Sequence, residues 1–143
     1  MGLRFNPVIV TDATTYSVKA YNSGVLHIFP DLTADITVTL PTPEDGLTYE
    51  FWYGGAAADA QDWIIKTGSD NSVYFIGGVV HMDEDAADAE VASVYSDGNS
   101  NSQLTVLTPA SGTVLKLHSN GSNWYVNGMV VSASAAAAAF ADQ

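Results

Sequence analysis

The chain has 143 residues, 47% of them hydrophobic and none of them cysteine, with 16 acidic against 4 basic residues and a formal net charge of -12. A domain of this size buries roughly 68–70% of its unfolded surface, so global disorder is excluded, as are disulfides, thiolate metal sites and a cysteine nucleophile. The basic residues Arg4, Lys19, Lys66 and Lys116 are scattered, which argues against nucleic acid or an anionic membrane as partner, since both require clustered cations.

Residues 1–7 contain no uninterrupted apolar segment of the kind a secretory signal needs, and no stretch of the chain is long and apolar enough for a transmembrane helix. This short N-terminal arm carries Arg4 and Phe5. A cation and an aromatic on an otherwise acidic chain are a combination enriched at interfaces, so both are expected to contact a partner. Strands are predicted at 8–11, 16–21, 24–29 and 35–40. The last of these alternates Ile36, Val38 and Leu40 with Asp35, Thr37 and Thr39, the period of a half-buried strand. The segment Pro41-Thr42-Pro43-Glu44-Asp45-Gly46 then breaks the ladder, because proline lacks a donor and glycine admits positive φ.

A strand at 47–53 follows, with Leu47, Tyr49, Phe51 and Tyr53 on one face and Thr48 and Glu50 on the other. Trp52 falls on the polar face, and a large apolar residue there points to burial against a neighbouring subunit. Residues 54–61 form a small-residue bridge, a loop or a single helical turn. Further strands are predicted at 63–67, 73–76, 91–95, 103–108, 114–118 and 123–131. They are separated by turn clusters such as Gly68-Ser69-Asp70-Asn71, Asp97-Gly98-Asn99 and Asn120-Gly121-Ser122. From 132 to 143 alanine dominates around Phe140. Alanine favours helix, yet an isolated helix this short is marginal; the tail is expected to order against the body or a partner, with Phe140 as its anchor.

Many short strands with regularly spaced turns imply an all-β fold. The expectation is an antiparallel jelly roll or β-sandwich over residues 1–131, including the arm, followed by a separate Ala-rich tail at 132–143.

Chemistry is far less legible. The acidic run Asp83-Glu84-Asp85-Ala86-Ala87-Asp88-Ala89-Glu90 contains no glycine for the sharp turn of a calcium loop and reads as a solvated loop. His27, His81 and His118 lack the His-x-His pair of a cupin metal centre and read as strand-face residues or partner contacts. No serine lies in Gly-x-Ser-x-Gly, and Asp35 and Glu50 lie on outward-reading strand faces with nothing in the sequence to make them converge as a glycosidase pair. No catalytic residue, cofactor or metal is therefore assigned, and no enzyme activity is expected. Trp52, Tyr53, Trp63, Tyr95, Trp124 and Tyr125 suit a sugar-stacking platform, a protein interface or simply a β core.

Two stretches carry a resemblance. Ala34-Asp35-Ile36-Thr37-Val38-Thr39-Leu40-Pro41 with Glu44-Asp45-Gly46-Leu47-Thr48-Tyr49-Glu50-Phe51 is one, and Leu115-Lys116-Leu117-His118-Ser119-Asn120-Gly121-Ser122-Asn123-Trp124-Tyr125-Val126-Asn127-Gly128 is the other. Together they resemble the small capsid decoration, or cement, proteins of tailed bacteriophages and cyanophages. The resemblance implies a jelly-roll homotrimer on the capsid exterior of a virion, bound to the major capsid protein and bridging capsomers, with no catalytic residues. The alternative is a carbohydrate- or receptor-binding β module of a phage tail fibre. The size of the chain, a single domain, favours the first.

Overall fold

Alternating side chains dictate the faces of the strands, and the burial pattern follows them: Ile36, Val38 and Leu40 are buried, as are Tyr49, Phe51 and Tyr53. The computed structural model describes residues 5–56, 58–68, 71–84, 90–134 and 138–143. Its strands are β1 (Val8–Ile9), β2 (Thr15–Ser17), β3 (Leu26–Phe29), β4 (Ile36–Thr39), β5 (Asp45–Tyr53) and β6 (Trp63–Lys66). They continue as β7 (Phe75–Asp83), β8 (Glu90–Tyr95), β9 (Gln103–Val106), β10 (Val114–Asn120), β11 (Trp124–Ser132) and β12 (Ala138–Ala141). The predicted strand at 16–21 is shorter, and its end is a 3-10 turn, Ala20–Asn22.

The larger sheet has the order β1-β3-β5-β10-β11-β7-β8 and the smaller β12-β9-β6-β4-β2. Their inner faces share one apolar core, in which Phe29 of the larger sheet lies against Trp63 of the smaller at a ring-centroid distance of 4.5 Å. The fold is thus an all-β sandwich, as the alternation requires.

Strand direction departs from expectation. Among the described residues five of the ten strand pairings are parallel, namely β1·β3, β3·β5, β2·β4, β4·β6 and β7·β11, so the sheets are mixed rather than antiparallel. For the first four the cause is the winding. Odd strands β1, β3 and β5 enter one sheet while even strands β2, β4 and β6 enter the other, so each strand returns beside its predecessor pointing the same way. Alternation specifies a face but carries no information on direction.

The C-terminal segment also corrects the expected domain boundary. Ser132 is the last residue of β11, fully buried, with its hydroxyl donating to the Leu107 carbonyl at 2.8 Å. Beyond it β12 pairs antiparallel with β9, and Phe140 packs edge-on against Phe75 at 6.0 Å. The intrinsic helix preference of alanine is a few tenths of a kcal/mol, roughly, and tertiary pairing overrides it. Residues 138–141 are an edge strand of the sandwich, and Phe140 packs half-buried against its core. The double glycine Gly77-Gly78 hid a second feature: the strand predicted at 73–76 runs on as β7 to Asp83. Residues 85–89 of the acidic run lie outside the described residues, as does Arg4.

His27 lies on the inner face of β3, fully buried and met by the rings of Tyr16, Tyr49 and Phe51 at 6.0, 5.7 and 5.5 Å. Its Nδ1–H donates to the Val25 carbonyl at 2.9 Å, whereas Nε2 has no hydrogen-bond partner among the described residues. Burial lowers the imidazole pKa and outweighs the opposing pull of that carbonyl. With the folded value depressed below the unfolded value of about 6.5, the unfolded chain binds the proton first as pH drops. Stability from this site is therefore complete above about pH 6.5 and is lost as pH falls from there toward the folded pKa. Urea unfolding followed from pH 7.5 to 5 is expected to show that loss, and His27→Phe is expected to flatten it.

Candidate interaction face

The register of the larger sheet aligns its outward side chains into rows. One row runs Ile9, Ile28, Trp52, Val114, Met129 and Val80 in unbroken cross-strand register, ending at Ser93. Ile9 is 64% exposed and Trp52 44%, and Val80 and Met129 are exposed beside them. Met82 and Val91, in register with each other, extend the apolar surface toward the β8 edge. Such a row is not what a solvated face of a sandwich shows.

The smaller sheet supplies the contrast. Its outer rows read Thr15, Thr37, Ile64, Thr105 and Ala139, then Ser17, Thr39, Lys66, Gln103 and Ala141. That face is polar and small, as water requires.

Beside the apolar row runs a second one, Leu26, Glu50, Lys116, Asn127, Gly78 and Tyr95. Glu50 and Lys116 are direct cross-strand neighbours of opposite charge. The Trp52 indole Nε1–H donates to the Glu50 carboxylate at 2.6 Å, which fixes the orientation of the half-exposed ring. Around Gly78, whose lack of a Cβ lets the β8 backbone approach closely, the face carries a hollow of about 420 Å³ lined by Gly77, Gly78, Val80, Ser93, Tyr95 and Asn127. Tyr95 forms its rim at 73% exposure.

The polar groups farther along do not assemble a reaction centre. Thr48 Oγ1 and His118 Nδ1 lie 3.0 Å apart in the open, with no third group orienting the imidazole among the interactions described. Asp35 precedes β4 and caps the chain entering β6, its carboxylate accepting from the Asp62 amide at 3.0 Å, while Glu50 faces outward from the other sheet. The two carboxylates therefore do not flank a common cleft. Among the described residues no group of three or more His, Asp or Glu side chains could hold a metal ion.

Of the residues expected at an interface, Trp52 stands at the middle of the apolar face. Phe5 is 71% exposed on the chain leading to β1, Arg4 is not described, and Phe140 is turned into the sandwich. The sequence reading missed Ile9, Ile28, Val114, Met129 and Val80, each unremarkable alone and significant only once register aligns them.

No family model matches the sequence, and neither the curated proteins nor the solved structures contain a match.

Proposed function

We propose that the chain is a non-catalytic virion structural protein, a homotrimer on the exterior of a phage capsid that binds the major capsid protein and stabilises the contacts between capsomers. The apolar row from Ile9 to Val80 carries this reading. A face so constructed belongs to an assembly subunit, because a contiguous apolar surface left in water is both costly and prone to nonspecific association.

The segments that resemble decoration proteins support it by their position. Residues 44–51 and 115–128 lie in or beside β5, β10 and β11, adjacent strands at the centre of that face, while residues 34–41 lie in and beside β4 of the smaller sheet. The acidic remainder of the surface suits a position outside a shell, where it does not compete for packaged DNA.

The test is occupancy. Recombinant protein is added to expanded heads of the phage whose genome encodes it, and the heads are imaged by cryo-electron microscopy and heated. Added density on the outer surface and a raised temperature of DNA release are expected. Heads that bind none of the protein, or purified virions that contain none, defeat the proposal.

A further inference from the structure

We infer that the outer face of the larger sheet is covered by a second copy of this chain, with Trp52 of one copy seated in the glycine hollow of the other. The inference rests on the assembly reading above and adds to it the occupant of the face.

Charge selects the occupant. In the two rows just described, only Glu50 and Lys116 are charged, and they are cross-strand neighbours. The face is thus locally neutral in a chain of net charge -12. A basic partner would be drawn to the acidic remainder of the surface rather than to this face. Two copies approaching through that remainder meet like charge, whereas through this face they do not.

Size is sufficient. Strands spaced about 4.8 Å apart, the five from β5 to β8 running roughly 20–30 Å and β1 and β3 shorter, give a face on the order of 600–900 Å², close to the 800 Å² or so that each partner contributes to a standard stable interface.

Shape supplies the register. Trp52 stands on β5, to one side of the middle strand β10, and the hollow lies across β11, β7 and β8, to the other side. A second copy laid on the face can therefore place the indole of one over the hollow of the next, successively around a closed three-membered ring. The hollow of about 420 Å³ has room for an indole, and Asn127 and Ser93 in its lining offer oxygens that can replace Glu50 as acceptor of the Nε1–H. A buried tryptophan in a pocket is the kind of residue that dominates binding energy.

The experiment uses the full chain with no capsid present: sedimentation velocity over a dilution series, with tryptophan fluorescence on the same samples. Trp63 and Trp124 are already fully buried, so the emission change on assembly reports Trp52. The expected result is a whole-number multiple of 15.0 kDa at micromolar concentration with a blue shift on concentrating. Trp52→Glu and Val80→Lys are each expected to raise the dissociation constant 100-fold or more with the far-UV spectrum unchanged. Thr105→Lys, on the polar outer face of the smaller sheet, is expected to leave the mass as it was. A 15.0 kDa species at hundreds of micromolar overturns the inference, and so does an oligomer whose mass neither face variant alters. A monomer that still decorates heads removes this inference and the homotrimer while keeping the capsid-binding role; an oligomer that no head binds keeps this inference and removes that role.

Discussion

Trp63→Ala is expected to cost about 3–5 kcal/mol of folding stability, the range for emptying a buried aromatic site. Trp63 is fully buried on β6, against Phe29 at 4.5 Å and within 6.2 Å of the Tyr53 ring. It therefore bridges the two sheets, and both would line the resulting cavity. Domains of this size hold about 5–15 kcal/mol in total, so the variant forfeits a large share, with a melting temperature lower by roughly 10 °C. Trp63→Phe is the informative companion. The indole Nε1–H has no hydrogen-bond partner among the described residues, so phenylalanine keeps the ring packing and removes a buried unpaired donor. Its cost is expected to stay below about 1.5 kcal/mol. Urea unfolding of both variants checks the pair, and equal losses would show that the indole itself, rather than the volume it fills, sets the stability of this site.

Gly77→Ala is expected to be nearly as damaging, for a backbone reason. Gly77 sits at φ +111°, and a Cβ placed there would lie 2.4 Å from the Val126 carbonyl oxygen of β11, its parallel partner. Neither atom can yield without moving a strand, so the β7·β11 ladder must open. Strain of this class costs about 1–3 kcal/mol before any lost hydrogen bond is added. Gly98→Ala separates the two contributions. Gly98 also has positive φ, at +75°, but its Cβ would meet nothing within 4 Å. The expected order is a loss of about 1 kcal/mol at Gly98 and about 3 kcal/mol or more at Gly77, read from urea midpoints. A milder effect at Gly77 than at Gly98 would mean that the two strands can part cheaply.

The legible part of this sequence was the part that depends on one strand at a time. Ile36, Val38 and Leu40 announced their buried face, and Trp52 announced its exposure by standing on the face of Thr48 and Glu50. What required two strands was hidden. The row from Ile9 to Val80 draws residues from six strands far apart in sequence, and only register brings them into line. Pairing direction was hidden for the same reason. Residues 138–141 misled more directly, because alanine carries a helix preference but no side chain large enough to reveal which neighbour it will join. His27 and His118 look alike in the sequence; one is enclosed by rings and the other shares an exposed hydrogen bond with Thr48.

The alternation of β1 to β6 between the sheets has a kinetic consequence. None of these strands pairs with the strand next to it in sequence, so no early hairpin can form in this half and each ladder must wait for the chain to loop back. Loop-closure entropy is spent before any contact rewards it, which places such a topology among slow folders, on the order of milliseconds to seconds. The local hairpin of β10 and β11 stands out against this background. Its β10 edge joins β5 and its β11 edge joins β7, so it fastens the wound half to β7 and β8. A transition state organised around the Asn120–Asn123 turn would give high φ-values there and low ones in β2 and β4. Until residues 114–132 are synthesised, the nascent chain has no centre on which its larger sheet can close.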